Sequence, residues 1–202
     1  GSLGLAGTCG IGHTRWATNG EPSDVNAHPH TSMDGKVAII HNGIIENASQ
    51  LRLDLQAEGY RFASATDTEV AAKLLGKIVD KIIADEGKPD LFKAVRRMAR
   101  MLEGRHDSPL VVGLGEGENF LGSDVAAFVA YTKRAMEVDQ DQAVCVSADK
   151  VIVADFNGNV VENPKTYTVD WDASAAEKGG WDSFMDKEIH EDPAAVQRTL
   201  LG

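Results

Sequence analysis

Three short polar segments of this 202-residue chain carry residue types that bind or activate small molecules. The first is a Gly- and Thr-rich stretch that holds Arg15, Trp16, Thr18 and Asn19. An arginine in such a turn can hold a carboxylate through two parallel hydrogen bonds, and a neighbouring tryptophan can shield that pair from water. The alternative is an arginine in a surface ion pair beside a core tryptophan, and this segment alone leaves both open.

The other two segments offer hydrogen-bond donors and a carboxylate. His41-Asn42-Gly43 follows a short apolar run, and an asparagine amide beside a glycine backbone N–H has the parts of an oxyanion hole. An ordinary turn at a strand end has the same composition. Asp67 is suited to bind an ammonium group, although an acid favoured by the helix dipole in a first helical turn is the competing interpretation.

Histidine and cysteine spacing does not indicate a metal site. The four histidines between residues 13 and 41 match neither the H-E-x-x-H nor the C-x-x-C pattern. Cys9 and Cys145 are too few for a disulfide framework, which favours a cytoplasmic protein with two unrelated reduced thiols. We therefore predict neither a metal nor another cofactor.

The composition argues against two classes of partner. Hydrophobic residues make up 43% of the chain, which is enough for a sizeable core, while the net charge is −11. Nucleic-acid binding and docking on anionic lipid both require a basic face. No apolar run approaches the roughly 20 residues of a membrane span. We therefore expect no nucleic-acid partner and no membrane partner.

Apolar periodicity predicts the helices that position these segments. Helices are predicted after Asn47, with Gln50 completing a capping box, after Thr66, with Glu69 as its partner, and from Asp90. The apolar stripe of the second helix comprises Val70, Leu74, Leu75, Ile78, Val79 and Ile82, and the third helix is expected to bury Leu91, Val95, Met98 and Leu102. Residues 173–201 are typical of a helix interrupted at 179–180 and at Pro193.

Short apolar runs predict strands between and after these helices. The runs lie at residues 37–40, 110–112, 119–121, 143–146 and 151–153, and the run at 37–40 is expected to be buried. A further strand, followed by a turn, is expected at residues 11–17 in the Gly- and Thr-rich stretch. Asn157-Gly158 is typical of a type I′ turn, and Asp124 is expected to open a helical turn. The mixture of hairpins and helices indicates an α+β fold.

Four ordered segments resemble the class II glutamine amidotransferases. They are His-Thr-Arg-Trp-Ala-Thr at 13–18, Asn-Ala-His-Pro-His at 26–30, His-Asn-Gly-Ile-Ile-Glu-Asn at 41–47 and Thr-Asp-Thr-Glu at 66–69. Within that class the chain is most similar to the glutamine–fructose-6-phosphate aminotransferases, and Ser-Pro-Leu-Val at 108–111, Gly-Ser-Asp at 122–124 and Lys-Glu-Ile at 187–189 add to the resemblance. The resemblance covers nearly the whole chain.

The resemblance implies a fold and an activity. The fold is a four-layer αββα sandwich of the N-terminal-nucleophile hydrolase type, incomplete in this chain. Residues 1–172 would be a glutaminase domain, and 173–202 a helical linker towards a sugar isomerase domain that is absent here. The implied reaction transfers the amide nitrogen of glutamine to fructose 6-phosphate, giving glucosamine 6-phosphate and glutamate, in a cytoplasmic homodimer.

The resemblance also implies a role for seven residues. Arg15 would bind the α-carboxylate of glutamine, and Asp67 would bind its α-ammonium group. Trp16 would form the lid of the site, and Thr18 and Asn19 would add further contacts. Asn19 stands where the family commonly has histidine, and its amide still donates a hydrogen bond. Asn42 and Gly43 would form the oxyanion hole.

The chain departs from this family at its nucleophile. The family uses a first-residue cysteine whose own α-amino group serves as base. Cys9 does not match it, because Cys9 lies only four residues before His13 and its nitrogen is part of a peptide bond. We expect the segment with the nucleophile to be absent here and the fragment to be inactive.

A second departure lies between Gly104 and Ser108, where the family carries a further strand pair. Arg105, His106 and Asp107 join the flanking segments directly. We favour omitted residues over a deletion, because deleting central strands leaves unpaired sheet edges.

Two other functions remain open from the sequence. One is a different class II amidotransferase, of the purine-pathway or asparagine-synthesising type. The segment Lys-Glu-Ile at 187–189 favours the sugar enzyme over this alternative. The other is a non-catalytic glutamine-binding fragment, which the absent nucleophile favours.

Overall fold

The computed structural model describes residues 7–13, 20–104, 109–170 and 183–201. These residues divide into two compact units. The first unit is drawn from 1–109, 139–145 and 152–162, and the second from 110–138, 146–151 and 163–202. The domain boundary predicted between residues 172 and 173 lies outside the described residues and stays a prediction.

The first unit is mainly helical. Its helices are α1 (Ala48–Ala57), α2 (Asp67–Glu86) and α3 (Leu91–Ala99), preceded by a short 3-10 helix at Asp24–Asn26. Strands β1 (His30–Thr31) and β2 (Ala38–Ile39) pair antiparallel, with His30 opposite Ile39. Helix α2 packs against α1, α3 and both of these strands, so it forms the centre of this unit.

The second unit is built on an antiparallel sheet. Strands β3 (Leu110–Leu114), β4 (Asn119–Gly122), β5 (Arg134–Val138) and β8 (Thr166–Thr168) are ordered β4-β3-β5-β8. A 3-10 helix at Val125–Ala127 follows β4, as predicted from Asp124, and helix α4 spans Phe184–Leu201. Strands β6 (Gln142–Val146) and β7 (Val151–Asp155) form a separate two-stranded sheet, and most of their residues belong to the first unit.

These elements confirm the α+β class, because the sheets are antiparallel and the helices follow or precede them rather than alternating with parallel strands. The four-layer order stays a prediction. None of the helices among the described residues is both long and apolar enough to cross a membrane.

Helix α2 follows its sequence signals closely. The Thr66 side chain accepts a hydrogen bond from the backbone N–H of Glu69, which is the cap predicted from these two residues. The predicted stripe forms the core of the first unit: all its members are buried except Val79, which is half-buried. At the other end, Gly87 adopts a φ of 75° and ends the helix. Asp90 likewise caps α3, through Lys93 N–H.

Several local predictions are wrong. Asn47 precedes α1 but does not cap it, because its side chain bonds instead to the backbone of Met101 and Glu103. The buried strand predicted at 37–40 is reduced to Ala38–Ile39, and Ala38 is exposed. Leu91 is also exposed, since the buried face of α3 is formed by Ala94 and Met98.

Three further predictions differ from the structure. Only Gly158 of the Asn157-Gly158 pair has a positive φ, whereas a type I′ turn requires one at both residues. Helix α4 continues through Pro193, because a proline removes one hydrogen bond and does not always end a helix. Residues 11–13 are not in a strand, and Ile11 is exposed.

Helix α2 lies so close to Ser32, the residue that follows β1, that only glycine fits at position 76. A Cβ added there would lie 2.6 Å from the Cβ of Ser32. Glycine to alanine inside a helix ordinarily stabilises by about 1 kcal/mol. Here we expect Gly76→Ala to lower the free energy of unfolding by about 1–3 kcal/mol, because the added methyl overpacks the contact.

Thermal and denaturant unfolding of the purified chain measure this change. Gly10→Ala is the matched control, because an added Cβ there meets nothing within 4 Å. We expect the control to be neutral, and a stabilised Gly76→Ala variant would contradict the close packing of α2 on β1.

Candidate functional site

The first helical turn of α2 and the segment after β2 meet at Asp67. This aspartate is the first residue of α2 and is only 7% exposed. Its Oδ2 accepts a hydrogen bond of 2.9 Å from the backbone N–H of Ile45. The structure therefore brings together two of the three polar segments identified in the sequence, within the first unit.

The other side of this segment is held by the chain that follows α3. Glu46 N–H donates to the carbonyl oxygen of Glu103 at 2.7 Å, and Ile45 forms an antiparallel bridge with Gly104. The Asn47 side chain donates to Met101 O at 2.9 Å. The segment from residue 44 to residue 47 is thus fixed from both sides, which is what a binding site on a loop requires.

A cavity of about 230 Å³ opens beside the contact between Asp67 and Ile45. It is small compared with the roughly 300–1,000 Å³ of pockets for drug-sized ligands, and it suits a ligand of amino-acid size. Within it Asp67 presents a buried carboxylate, and Arg52 a guanidinium. The lining residues are Ile44, Ile45, Glu46, Ala48, Ser49, Arg52, Ala65, Asp67 and Val70.

Asn42 and Gly43 lie just before the cavity wall in the chain. Asn42 is exposed, and Gly43 is half-buried with a φ of 154°. Neither is among the residues that line the cavity, whose wall begins at Ile44. Their role as an oxyanion hole therefore stays a prediction.

His41 connects this segment to the histidines near the start of the chain. Its backbone N–H donates to His28 Nδ1 at 3.2 Å, and its Nδ1 lies 3.3 Å from Thr68 Oγ1. Burial lowers the pKa of His41, the Asp67 carboxylate opposes that shift, and His13 adds to it. The net shift is downward, so His41 is a neutral hydrogen-bonding group at pH 7 and not a counter-charge for Asp67.

A buried polar network fixes the start of α2. Glu69 accepts hydrogen bonds from Ala63 N–H, from Ser64 N–H and from the Ser64 hydroxyl, the last two at 2.7 Å. The Thr66 hydroxyl lies 2.9 Å from the Ser64 hydroxyl and 2.8 Å from His30 Nε2. Because Asp67 directly follows Thr66, this network determines where its carboxylate lies.

Electrostatics keep Glu69 ionised within this network. Burial raises the pKa of Glu69, but hydrogen bonds from Ala63 and Ser64 and the ammonium group of Lys73 outweigh burial and hold the pKa below its usual value. The Lys73 Nζ lies 3.7 Å from the Glu69 carboxylate. The acid in this motif is therefore structural, whereas Asp67 faces the cavity.

Arg52 is a site residue that the sequence did not indicate. Its guanidinium donates to the carbonyl oxygens of Ser64 and Thr66, at 3.1 and 2.9 Å, and lies 4.4 Å from the centre of the Phe62 ring. It therefore ties α1 to the residues just before Asp67. Arg52 is half-buried, and an arginine among the other polar residues of a helix carries no local signal of such a contact.

The remaining predicted site residues have different outcomes. Arg15, Trp16, Thr18 and Asn19 fall in 14–19, outside the described residues. Cys9 is exposed, and residues 7–13 form no helix that would place it one turn from His13. In the described part of the chain, no group of three or more His, Cys, Asp or Glu residues could hold a metal ion.

The chain is similar to one group of curated proteins along nearly its whole length. It is 53% identical to a glutamine–fructose-6-phosphate aminotransferase [isomerizing] from Corynebacterium efficiens, over 96% of this chain and 33% of that protein. It is 52% identical to the protein of that name from Leifsonia xyli subsp. xyli, over 97% and 34% respectively. The chain thus spans about a third of the length of the curated relatives it matches.

A third relative bears on the predicted missing strand pair. The aminotransferase of that name from Mycobacterium tuberculosis H37Rv is 47% identical over 223 positions, covering 100% of this chain and 35% of that protein. Those 223 positions exceed the 202 residues of this chain by 21, so the relative carries residues without a counterpart here. The position of the absent strand pair, between Gly104 and Ser108, stays a prediction.

The family assignment rests on a match to a family model. A solved structure of the allosteric regulatory enzyme of purine biosynthesis aligns over 65% of this chain and 28% of that chain, with 21% identity and a TM-score of only 0.38. By contrast, the model described as "Glutamine amidotransferase domain" matches residues 3–163. The chain belongs to the glutamine amidotransferase domain family.

Proposed function

We propose that this chain is the glutaminase part of a protein that transfers the amide nitrogen of glutamine to fructose 6-phosphate. The observation that carries the proposal is the buried carboxylate of Asp67, which faces a cavity of about 230 Å³ in a chain of the glutamine amidotransferase family. The choice of fructose 6-phosphate as the acceptor of the nitrogen comes from the names of the relatives. The chain spans a third of their length, so the sugar chemistry belongs to the part beyond it.

Glutamine is a zwitterion with a neutral amide at its far end, and each part needs its own partner. Asp67 binds the α-ammonium group, and Arg15 binds the α-carboxylate. Thr18 and Asn19 add hydrogen bonds, and Trp16 covers the site. Opposite charges at the two ends of the ligand fix its orientation, which delivers the amide towards Asn42 and Gly43.

The reaction at the amide proceeds through a tetrahedral intermediate. A thiolate attacks the amide carbon, and the oxyanion that forms accepts hydrogen bonds from the Asn42 side chain and Gly43 N–H. The amide nitrogen takes up the proton that the thiol gave up, the C–N bond breaks, and ammonia leaves. Water then releases glutamate from the thioester. Ammonia condenses with the carbonyl group of fructose 6-phosphate, and the carbonyl oxygen leaves as water. Isomerisation then gives glucosamine 6-phosphate. Cys9 is not the thiol, because its nitrogen is a peptide nitrogen and cannot act as the base.

The product of the full-length protein tests this function. We expect the protein encoded by the complete gene to convert glutamine and fructose 6-phosphate to glucosamine 6-phosphate and glutamate, as measured by mass spectrometry. Omission of fructose 6-phosphate is the control and should leave no hexosamine phosphate. Amination of a purine precursor or of aspartate, with none of fructose 6-phosphate, would show that the chain serves a different amidotransferase.

Two further parts of this proposal come from the sequence alone. The full-length protein forms a homodimer, and it is located in the cytoplasm. Size-exclusion chromatography with light scattering measures the first, and cell fractionation the second.

A further inference from the structure

A basic concavity lies on the first unit, and it shares no lining residue with the cavity beside Asp67. Its volume is about 360 Å³. We call it the arginine pocket; it is lined by Lys93, Arg96, Arg97, Arg100, Asn157 and Gly158. Four cationic side chains line this pocket, although the net charge of the chain is −11. The pocket is therefore a local positive patch on an acidic chain.

The three arginines of this pocket form no ion pair within the part of the chain that the structure describes. Lys93 pairs with Glu86. Among the described residues, no carboxylate forms an ion pair with Arg96, Arg97 or Arg100, and the contact from Arg100 is to the neutral side chain of Asn157 at 3.5 Å.

Arg96 carries a donor that lacks a hydrogen-bond acceptor among the described residues. Its Nε is buried and has no hydrogen-bond partner in the described part of the chain. Buried side-chain donors nearly always have a partner. Its guanidinium carbon lies 5.0 Å from the centre of the Phe92 ring, which holds the side chain in place. Gly158 makes room for it, because a Cβ at that position would collide with Arg96 Nη1.

The helix alone does not explain this arrangement. Cations near the C-terminal end of α3 are favoured by the helix dipole. However, Arg96 and Arg100 are four residues apart, as are Lys93 and Arg97, and like charges at that spacing repel each other. An anion bound in the concavity would relieve this repulsion and provide oxygen acceptors for the guanidinium groups.

We propose that the arginine pocket binds a phosphate or diphosphate group of a small molecule. Guanidinium groups bind phosphate oxygens through paired, charge-assisted hydrogen bonds. Three guanidinium groups that have no ion pair among the described residues exceed the charge of one carboxylate and match the two or more negative charges of a phosphoryl group. The small volume of the concavity and the negative net charge of the chain favour a small anion over a nucleic acid.

Calorimetric titration of the 202-residue chain with inorganic pyrophosphate tests the proposal. We expect saturable binding to the unaltered chain, and binding at least about tenfold weaker in the double variant Arg97→Gln, Arg100→Gln. The matched control is Arg61→Gln, which removes an exposed positive charge outside the pocket and should leave the affinity unchanged. Equal affinity in all three proteins, or heat that sodium chloride of the same ionic strength reproduces, would overturn the proposal.

A second measurement uses only the unaltered chain, so it does not depend on whether a variant folds. Phenylglyoxal modifies accessible guanidinium groups, and mass spectrometry locates the modified arginines. We expect pyrophosphate to protect Arg97 and Arg100 from modification and to leave Arg61 reactive. Equal modification of all three residues with and without pyrophosphate would overturn the proposal.

Discussion

Replacing Asp67 by asparagine is expected to weaken binding of L-glutamine by at least about 30-fold. A buried charge that loses its charged partner on the ligand typically costs about 2–5 kcal/mol of binding free energy. Asp67 is 7% exposed and lines the cavity, so solvent screens an ammonium group bound there only weakly. Calorimetric titration of the variant and of the unaltered chain with L-glutamine measures the difference.

The choice of asparagine separates binding from structure. Its side-chain oxygen can still accept the hydrogen bond from Ile45 N–H that Asp67 Oδ2 accepts at 2.9 Å. The variant therefore keeps the contact between α2 and the segment after β2. It loses the charge and the long hydrogen bond of 3.4 Å that Asp67 Oδ1 accepts from Thr68 Oγ1. Asp85→Asn, at an exposed position of the same helix, is the matched control and should bind glutamine normally. Undiminished affinity in Asp67→Asn would contradict the ammonium-binding role.

Replacing Glu69 by alanine is expected to lower the free energy of unfolding by about 3–5 kcal/mol. The substitution leaves Ala63 N–H, Ser64 N–H and the Ser64 hydroxyl without their acceptor, and it leaves Lys73 without its nearby carboxylate. Each buried donor without a partner costs about 1–3 kcal/mol. Loss of one member of a buried charge pair costs about 3–5 kcal/mol.

Denaturant unfolding followed by circular dichroism measures this loss. Glu116→Ala, at an exposed position of the second unit, should change stability by less than about 0.5 kcal/mol. A Glu69→Ala variant as stable as this control would show that the network does not hold the start of α2.

The lowered pKa of Glu69 also sets the direction of a pH effect. A carboxyl group whose pKa is lower in the folded protein stabilises fully above its unfolded pKa, whose ordinary value is 4.5. Its contribution is lost as the pH falls from that value through the folded pKa. The unaltered chain should therefore lose more stability in this acidic window than the Glu69→Gln variant does.

Local signals predicted the structure well where one short segment satisfies its own requirements. Thr66 and Glu69 are three residues apart, and together they form the N-terminal cap of α2 as expected. The apolar stripe of that helix is buried because its spacing produces a single hydrophobic face. Helix α2 was therefore predictable almost entirely from its own residues.

Predictions failed where a distant segment competes for the same group. The Asn47 side chain was expected to cap α1, but the backbone at Met101 and Glu103, more than 50 residues later in the chain, takes its hydrogen bonds. The contact of Arg52 with Ser64 and Thr66 also joins separate elements. Such contacts depend on tertiary packing, which the pattern of one segment does not contain.

The candidate site shows the same division. The sequence identified Asp67 and the segment from His41 to Asn47, and the structure brings Asp67 to Ile45 in that segment. The sequence did not indicate that Ile44, Ser49 and Ala65 line a cavity beside Asp67, because these residues carry no distinctive chemistry of their own. The substrate roles of Arg15 and its neighbours rest on the resemblance of the motif.

We infer that this chain binds glutamine in the cavity between Asp67 and the segment that follows β2. Titration of the ¹⁵N-labelled chain with L-glutamine, followed by NMR, tests it most directly, because the Ile45 amide donates to the carboxylate that would hold the ligand. We predict a saturable shift of the Ile45 and Ser49 amides that is lost in Asp67→Asn. Amide signals of Ile45 and Ser49 that do not shift at saturating glutamine, or shifts confined to residues away from this cavity, would contradict binding of glutamine beside Asp67.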